Sequence, residues 1–155
     1  MRKRPVFMAV ACALLAAGCQ YGLPIEIPGL TMGRTSDERQ IAVVLEDAAR
    51  GLETRRVSRI MAQVSPNYQD AEGRDYEAIR EYLSRIVKGY RSIRITRTHP
   101  KIAVEGDSAR AMETFGTIAE HIDPAREPVN LQGQVEVRLE RVNNTWQIVE
   151  WGFLQ

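Results

Sequence analysis

Three carboxylates stand where the sequence pattern allows a proton to be moved: Asp70 in the short connection Asn67–Arg74, Glu113 within the run 108–122, and Glu150 near the C-terminus. Asp70 reads as a general base at an apolar mouth, or as a turn residue bonded to the backbone that leads to Gly73. Glu113 shares strand parity with Ala109, Ala111 and Phe115, which turns it towards the apolar side as a buried acid, unless a bulge in so long a strand sends it to water. Glu150 has the parity of Trp146 and Ile148 and carries the same two readings, inward or solvated and salt-bridged. Tyr68, Tyr76 and Trp146 supply apolar walls with polar tips, or else fill a core. The two histidines, His99 and His121, have no partner at metal-ligand spacing, so no metal site is expected. No glycine-rich phosphate loop or Gly-x-Ser-x-Gly elbow is present, and no cofactor is expected.

The elements that must position these groups are legible from periodicity. Val129, Leu131, Val135, Val137 and Leu139 alternate with polar residues, and Asn143-Asn144 separates them from the β-rich Thr145–Leu154. That is an antiparallel hairpin with one apolar face to cover. Upstream, Thr35 and Glu38 form a capping box, and Ile41, Val44, Leu45, Ala48 and Leu52 follow at helical spacing. After a break near Gly51–Arg55 the pattern resumes at Val57, Ile60, Met61 and Val64, which makes two helices or one bent one. Ser65-Pro66 stops it. Asp75 caps a further helix that buries Tyr76, Ile79, Leu83, Ile86, Val87 and Tyr90 and ends at Gly89. From Ser92 the period drops to two, with a turn at Glu105-Gly106-Asp107. The expected core joins both halves, with Leu83 from the helices and Val137, Trp146 and Ile148 from the hairpin among its members.

The order of helices first and antiparallel sheet last, carried by Val64-Ser65-Pro66-Asn67-Tyr68-Gln69-Asp70, Tyr76-Glu77-Ala78-Ile79 and Thr145-Trp146-Gln147-Ile148, resembles the nuclear transport factor 2-like superfamily with its SnoaL-like and ketosteroid-isomerase-like branches. The resemblance implies an α+β fold over residues 35–155, with N-terminal helices packed on a curved antiparallel sheet to form a cone with a pocket. It implies a pocket that includes Tyr68, Tyr76, Glu113, Trp146 and Glu150, and a base at Asp70. The oxyanion donors of the isomerase branch do not carry over, because the matching turn of the first helix holds Glu46, Asp47 and Ala48. A base without a preorganised donor does not make an isomerase.

Residues 1–18 read as a targeting segment: Arg2, Lys3 and Arg4 precede an apolar core over Val6–Leu15 that is too short to stay as a membrane span. Leu15-Ala16-Ala17-Gly18-Cys19 resembles the lipobox of bacterial lipoproteins, which implies cleavage before Cys19 and lipidation of its sulfur. Ala16 stands where that family favours Leu, and an ordinary secretory signal is the competing reading. Residues 19–34, with Gly22, Pro24, Pro28, Gly29 and Gly33, read as a tether. Gln20 rather than Asp after the cysteine implies, by the family rule, outer-membrane attachment facing the periplasm in a two-membrane cell.

Loss of the signal removes three of the 21 Lys and Arg and none of the 20 Asp and Glu, so the remaining chain has no basic surplus and nucleic acid is not an expected partner. Val149, Trp151 and Phe153 take the parity opposite Trp146 and Ile148, which marks them as a homodimer contact or as a patch covered by the tether. The function expected is a lipid-anchored cell-envelope domain, non-catalytic, that binds a small apolar ligand or a protein partner. The alternatives are a SnoaL-like lyase or isomerase with Asp70 as base, and a structural envelope-assembly lipoprotein.

Overall fold

A computed structural model describes residues 35–154, and the signal segment, Cys19 and the tether fall outside these described residues. Helix α1 (Ser36–Glu53) starts at the expected capping box: the Thr35 hydroxyl accepts from the Glu38 N–H, and the Glu38 carboxylate accepts from the Thr35 N–H, each at 3.2 Å. It ends in a Schellman motif. Arg56 N–H donates to the Gly51 carbonyl and Arg55 N–H to that of Leu52, with Arg55 in the left-handed region at φ 55°. The bend separates α1 from α2 (Val57–Met61). Gly51 is required here for space, since a Cβ at this position would stand 2.6 Å from Ile60 Cγ1 and 3.0 Å from Ile60 N. Helix α3 (Tyr76–Gly89) is capped by Asp75, whose carboxylate accepts from Ala78 N–H at 2.9 Å.

Five antiparallel strands follow: β1 (Tyr90–Arg97), β2 (Lys101–Glu105), β3 (Ser108–His121), β4 (Val129–Val142) and β5 (Thr145–Leu154). The order is β1-β3-β4-β5, with β2 also paired to β3. Asn143 and Asn144 both take positive φ, 51° and 62°, as a two-residue hairpin turn demands. One face of this sheet receives α1, which touches β1, β2 and β5, while α3 meets α2 and β1. Ile41, Ile60, Val137, Leu139, Trp146 and Ile148 are all but sealed from water at the centre. Leu52 and Ile86, expected in that core, are instead half-buried and line a cavity.

The free edge of β5 is closed by the chain between α2 and α3. Ile148 N–H donates to the Gln63 carbonyl, Ser65 N–H to that of Ile148 and Gln69 N–H to that of Val149, at 2.8 to 2.9 Å. Beside this seam the pairing slips: Arg138 faces Glu150, while its neighbour Leu139 faces Ile148, so Val149 is an extra residue in β5.

The bulge overturns two expectations based on strict alternation. Glu150 does not continue the parity of Trp146 and Ile148. It lies opposite Arg138 and bonds to it at 3.0 Å, away from the core. Trp151, expected outside with Val149, is paired with the buried Val137 and faces inward, where its ring centroid is 5.9 Å from that of Tyr68. Trp151 is therefore not part of an outward patch, and the side chain of Phe153 lies outside the described residues. A second tie holds the hairpin to the start of α1. Asp37 accepts from Arg141 Nη2 at 2.8 Å and from Trp146 Nε1 at 3.3 Å, and the Arg141 guanidinium lies 4.6 Å from the centre of the Trp146 ring.

Replacing Gly51 with Ala should lower the stability of the chain by about 1–3 kcal/mol, because the Ile60 backbone cannot retreat as a flexible side chain would. Val137→Ala should cost about 1–3 kcal/mol through the cavity it leaves. Urea unfolding of each variant measures both. A Gly51→Ala chain as stable as the parent would show that the two helices are not in close contact.

Candidate functional site

A cavity of about 310 Å³ lies between the helices and the concave face of the sheet. Its wall is mostly apolar: Leu45, Leu52, Leu83 and Ile86 come from α1 and α3, and Phe115, Val135 and Trp151 from the sheet. The size falls at the low end for small-molecule sites. Phe115 lies across Gly133 of β4, where a Cβ would sit 3.4 Å from the ring edge. A methyl group at 133 would just touch the ring that forms this part of the wall.

Ionisable groups enter the wall as pairs. The register of β3 against β4 is unbroken, so Glu113 keeps its inward parity and lines the cavity as expected. It does not stand alone. Arg97, at the end of β1, donates through Nε to both Glu113 oxygens at 3.1 Å and through Nη2 to Oε2 at 2.7 Å. Its Nη1 reaches the Leu45 carbonyl at 3.0 Å and Glu46 Oε2 at 3.3 Å. Both partners are nearly enclosed, with side-chain exposures of 12% for Arg97 and 9% for Glu113. A bidentate pair so placed is a charge-assisted clamp between β1, β3 and α1.

Asp70 is placed differently from the expected base. Its side chain is fully enclosed, yet it is not among the residues that line the cavity. Arg74 Nε and the Tyr68 hydroxyl donate to Oδ2 at 2.6 and 3.0 Å, and the N–H groups of Glu72 and Arg74 donate to Oδ1 at 3.1 and 2.9 Å. Four donors fill the acceptor capacity of a carboxylate. Burial alone would raise its pKa. The Arg74 guanidinium and backbone and the Tyr68 hydroxyl outweigh burial and hold it below the usual carboxylate range. Such a group is a weak base, and it acts here as the hub of a turn. Tyr68 in turn is pushed well above the ordinary phenol range by burial first and by the neighbouring Asp70 charge second, so it remains a protonated donor.

Of the residues expected to form the pocket, the structure brings Tyr68 and Glu113 together at the cavity wall. Tyr76 lies instead in an open surface groove between α2 and α3, together with Met61, Arg80 and Lys88. Trp146 is buried core bonded to Asp37, and Glu150 lies on the other face of the sheet. Sequence reasoning missed Arg97, Arg74, Tyr82 and Trp151, all of which line the cavity. Arg97 could have been found, because it continues the inward parity of Ile93 and Ile95, where a charge demands a buried partner. Arg74 follows Asp70 by four residues and lies over the ring of Tyr82, 4.6 Å from its centre.

No protein-family model matches the chain, and no curated protein does. Solved structures do match. A candidate scytalone dehydratase from Novosphingobium aromaticivorans is 16% identical with a TM-score of 0.68, the match covering 77% of this chain and 85% of that one. A nuclear transport factor 2-like superfamily protein from Salmonella enterica is 18% identical with a TM-score of 0.66 over 76% and 89% of the two chains. A candidate dehydratase of the same family from Streptomyces avermitilis is 11% identical with a TM-score of 0.64 over 74% and 92%.

The lowered pKa of Asp70 gives its contribution to stability a sign. That contribution is fully present above the unfolded carboxylate value of about 4 and is lost as pH falls through the folded value. Asp70→Asn should lower stability near neutral pH by about 1–3 kcal/mol, because Arg74 loses its buried partner. It should also flatten the acid limb of a plot of stability against pH relative to the parent. Equal slopes for the two chains below pH ~4 would show that the Asp70 pairing does not persist in solution. Helices laid against a curved antiparallel sheet, with a cavity between them and these neighbours in fold, give this chain the cone fold of the nuclear transport factor 2-like superfamily.

Proposed function

We propose that the chain is a lipid-anchored, non-catalytic domain of the cell envelope whose cone cavity binds a small apolar ligand. One observation carries the reading: the cavity is apolar-walled, and its acids are engaged with cations, Glu113 by Arg97 and, behind the wall, Asp70 by Arg74. Acid–base turnover needs a group free to take a proton in contact with the substrate. Binding needs only a shaped, mostly apolar enclosure. The lipobox supports the address, with Cys19 as the anchor to the membrane and Gln20 favouring the outer membrane facing the periplasm. Cys19→Ala should release the protein from membranes and change its mobility on a gel. A variant that stays with membranes at unchanged mobility would overturn the lipid reading.

A second reading draws on the dehydratase names of two neighbours in fold: a lyase or isomerase that uses Asp70 as base. A panel of small cyclic alcohols and ketones, assayed for both thermal stabilisation and turnover, separates the two. Stabilisation without turnover is the expected result. Turnover that vanishes in Asp70→Asn would replace the binding reading with the enzymatic one.

A further inference from the structure

Resting on the reading of the cavity as a ligand site, the geometry points to a site that takes an uncharged molecule and rejects carboxylates of the same shape, with the Arg97–Glu113 pair as the device that sets this selectivity. An apolar cavity commonly admits amphiphilic acids when it offers a cation with no carboxylate partner at its wall. Both wall cations are already paired with carboxylates. Every nitrogen of Arg97 has an acceptor: Nε and Nη2 on Glu113, and Nη1 on the Leu45 carbonyl and Glu46. Arg74 is gripped by Asp70 through Nε and by Glu72 through Nη2 at 2.7 Å, and its face lies over the Tyr82 ring.

A carboxylate entering here would shed its water without gaining a free counter-charge, and it would approach Glu113, which is itself nearly enclosed. An ammonium ion meets the converse difficulty, because the Glu113 oxygens already accept three bonds from Arg97. A neutral molecule loses little on entry. The remaining polar residues of the wall include Thr117, Tyr82 and Tyr90, whose hydroxyl groups can both donate and accept, which suits an alcohol or ketone.

Three probes of one shape test this: naphthylethanol, naphthylacetate and naphthylethylammonium. Each is titrated calorimetrically into the full chain carrying Cys19→Ala, which keeps any acyl group away from the cavity. The alcohol should bind at least about tenfold more tightly than either ion, a difference of about 1.4 kcal/mol. Glu113→Gln frees the Arg97 guanidinium and should narrow the alcohol-to-acetate ratio by about tenfold. Should that variant fail to fold, the double variant Arg97→Met/Glu113→Leu removes this pair and leaves Arg74, paired with Asp70 and Glu72, as the wall's remaining cation, and it must go on rejecting naphthylacetate. Equal binding of all three probes, tightest binding of either ion, or a ratio untouched by Glu113→Gln would overturn the selectivity while leaving the cavity a ligand site. Binding of none would overturn the site itself.

Discussion

The two halves of this fold are joined along the edge of β5. Each half has an apolar face that the other must cover, and the seam at Gln63, Ser65 and Gln69 fixes how they meet through backbone bonds to Ile148 and Val149. An edge strand left open would also be a site for unwanted pairing, and here the chain leaving α2 occupies it. The same seam delivers Tyr68 to the cavity wall and holds Asp70 behind it. Loop, wall and sheet edge are thus one construction: moving the 63–69 segment would release Trp151, Tyr68 and Arg74 together.

Arg97 performs a comparable task at the opposite side. It stands where β1 ends and reaches the Leu45 carbonyl of α1 and Glu113 of β3 with one planar group. A lysine would make a single-point contact there, whereas the guanidinium fork holds two elements at fixed angles. The wall of the cavity is therefore held from both ends by ion pairs and filled between by aromatic and aliphatic side chains.

Much of the fold was legible in the sequence because its signals are local. The Thr35/Glu38 box, the Asp75 cap, the Asn143-Asn144 turn and the alternation from Val129 to Leu139 each express chemistry within a few residues, and each appears as expected. The site was legible only in part. Glu113 and Tyr68 followed from parity and position, but Tyr76 packs on the core beside α2 and does not reach the cavity, because a residue in the first turn of an amphipathic helix can face either neighbour. Trp151 and Glu150 exchanged faces through a bulge of one residue, which no periodicity within β5 announces. Asp70 was correctly placed between two helices, but the donors that silence it come from Tyr68, Glu72 and Arg74, and their convergence is a property of the folded turn.

The bulge at Val149 also gives β5 two phases. Before it, even-numbered residues such as Trp146 and Ile148 face the core; after it the odd-numbered Trp151 does. The strand can thus absorb many substitutions that respect its faces, but it cannot change its length. Removing Val149 would leave Ile148 and Trp151 facing inward and Glu150 outward, but it would take away the carbonyl that accepts from Gln69 and so open the seam that closes the sheet edge. The turn at Glu105-Gly106-Asp107 is exposed and, although Asp107 is bonded to Arg141, it closes no sheet edge. Variation in length among chains built on this plan is therefore expected at that turn and is excluded at the sheet edge.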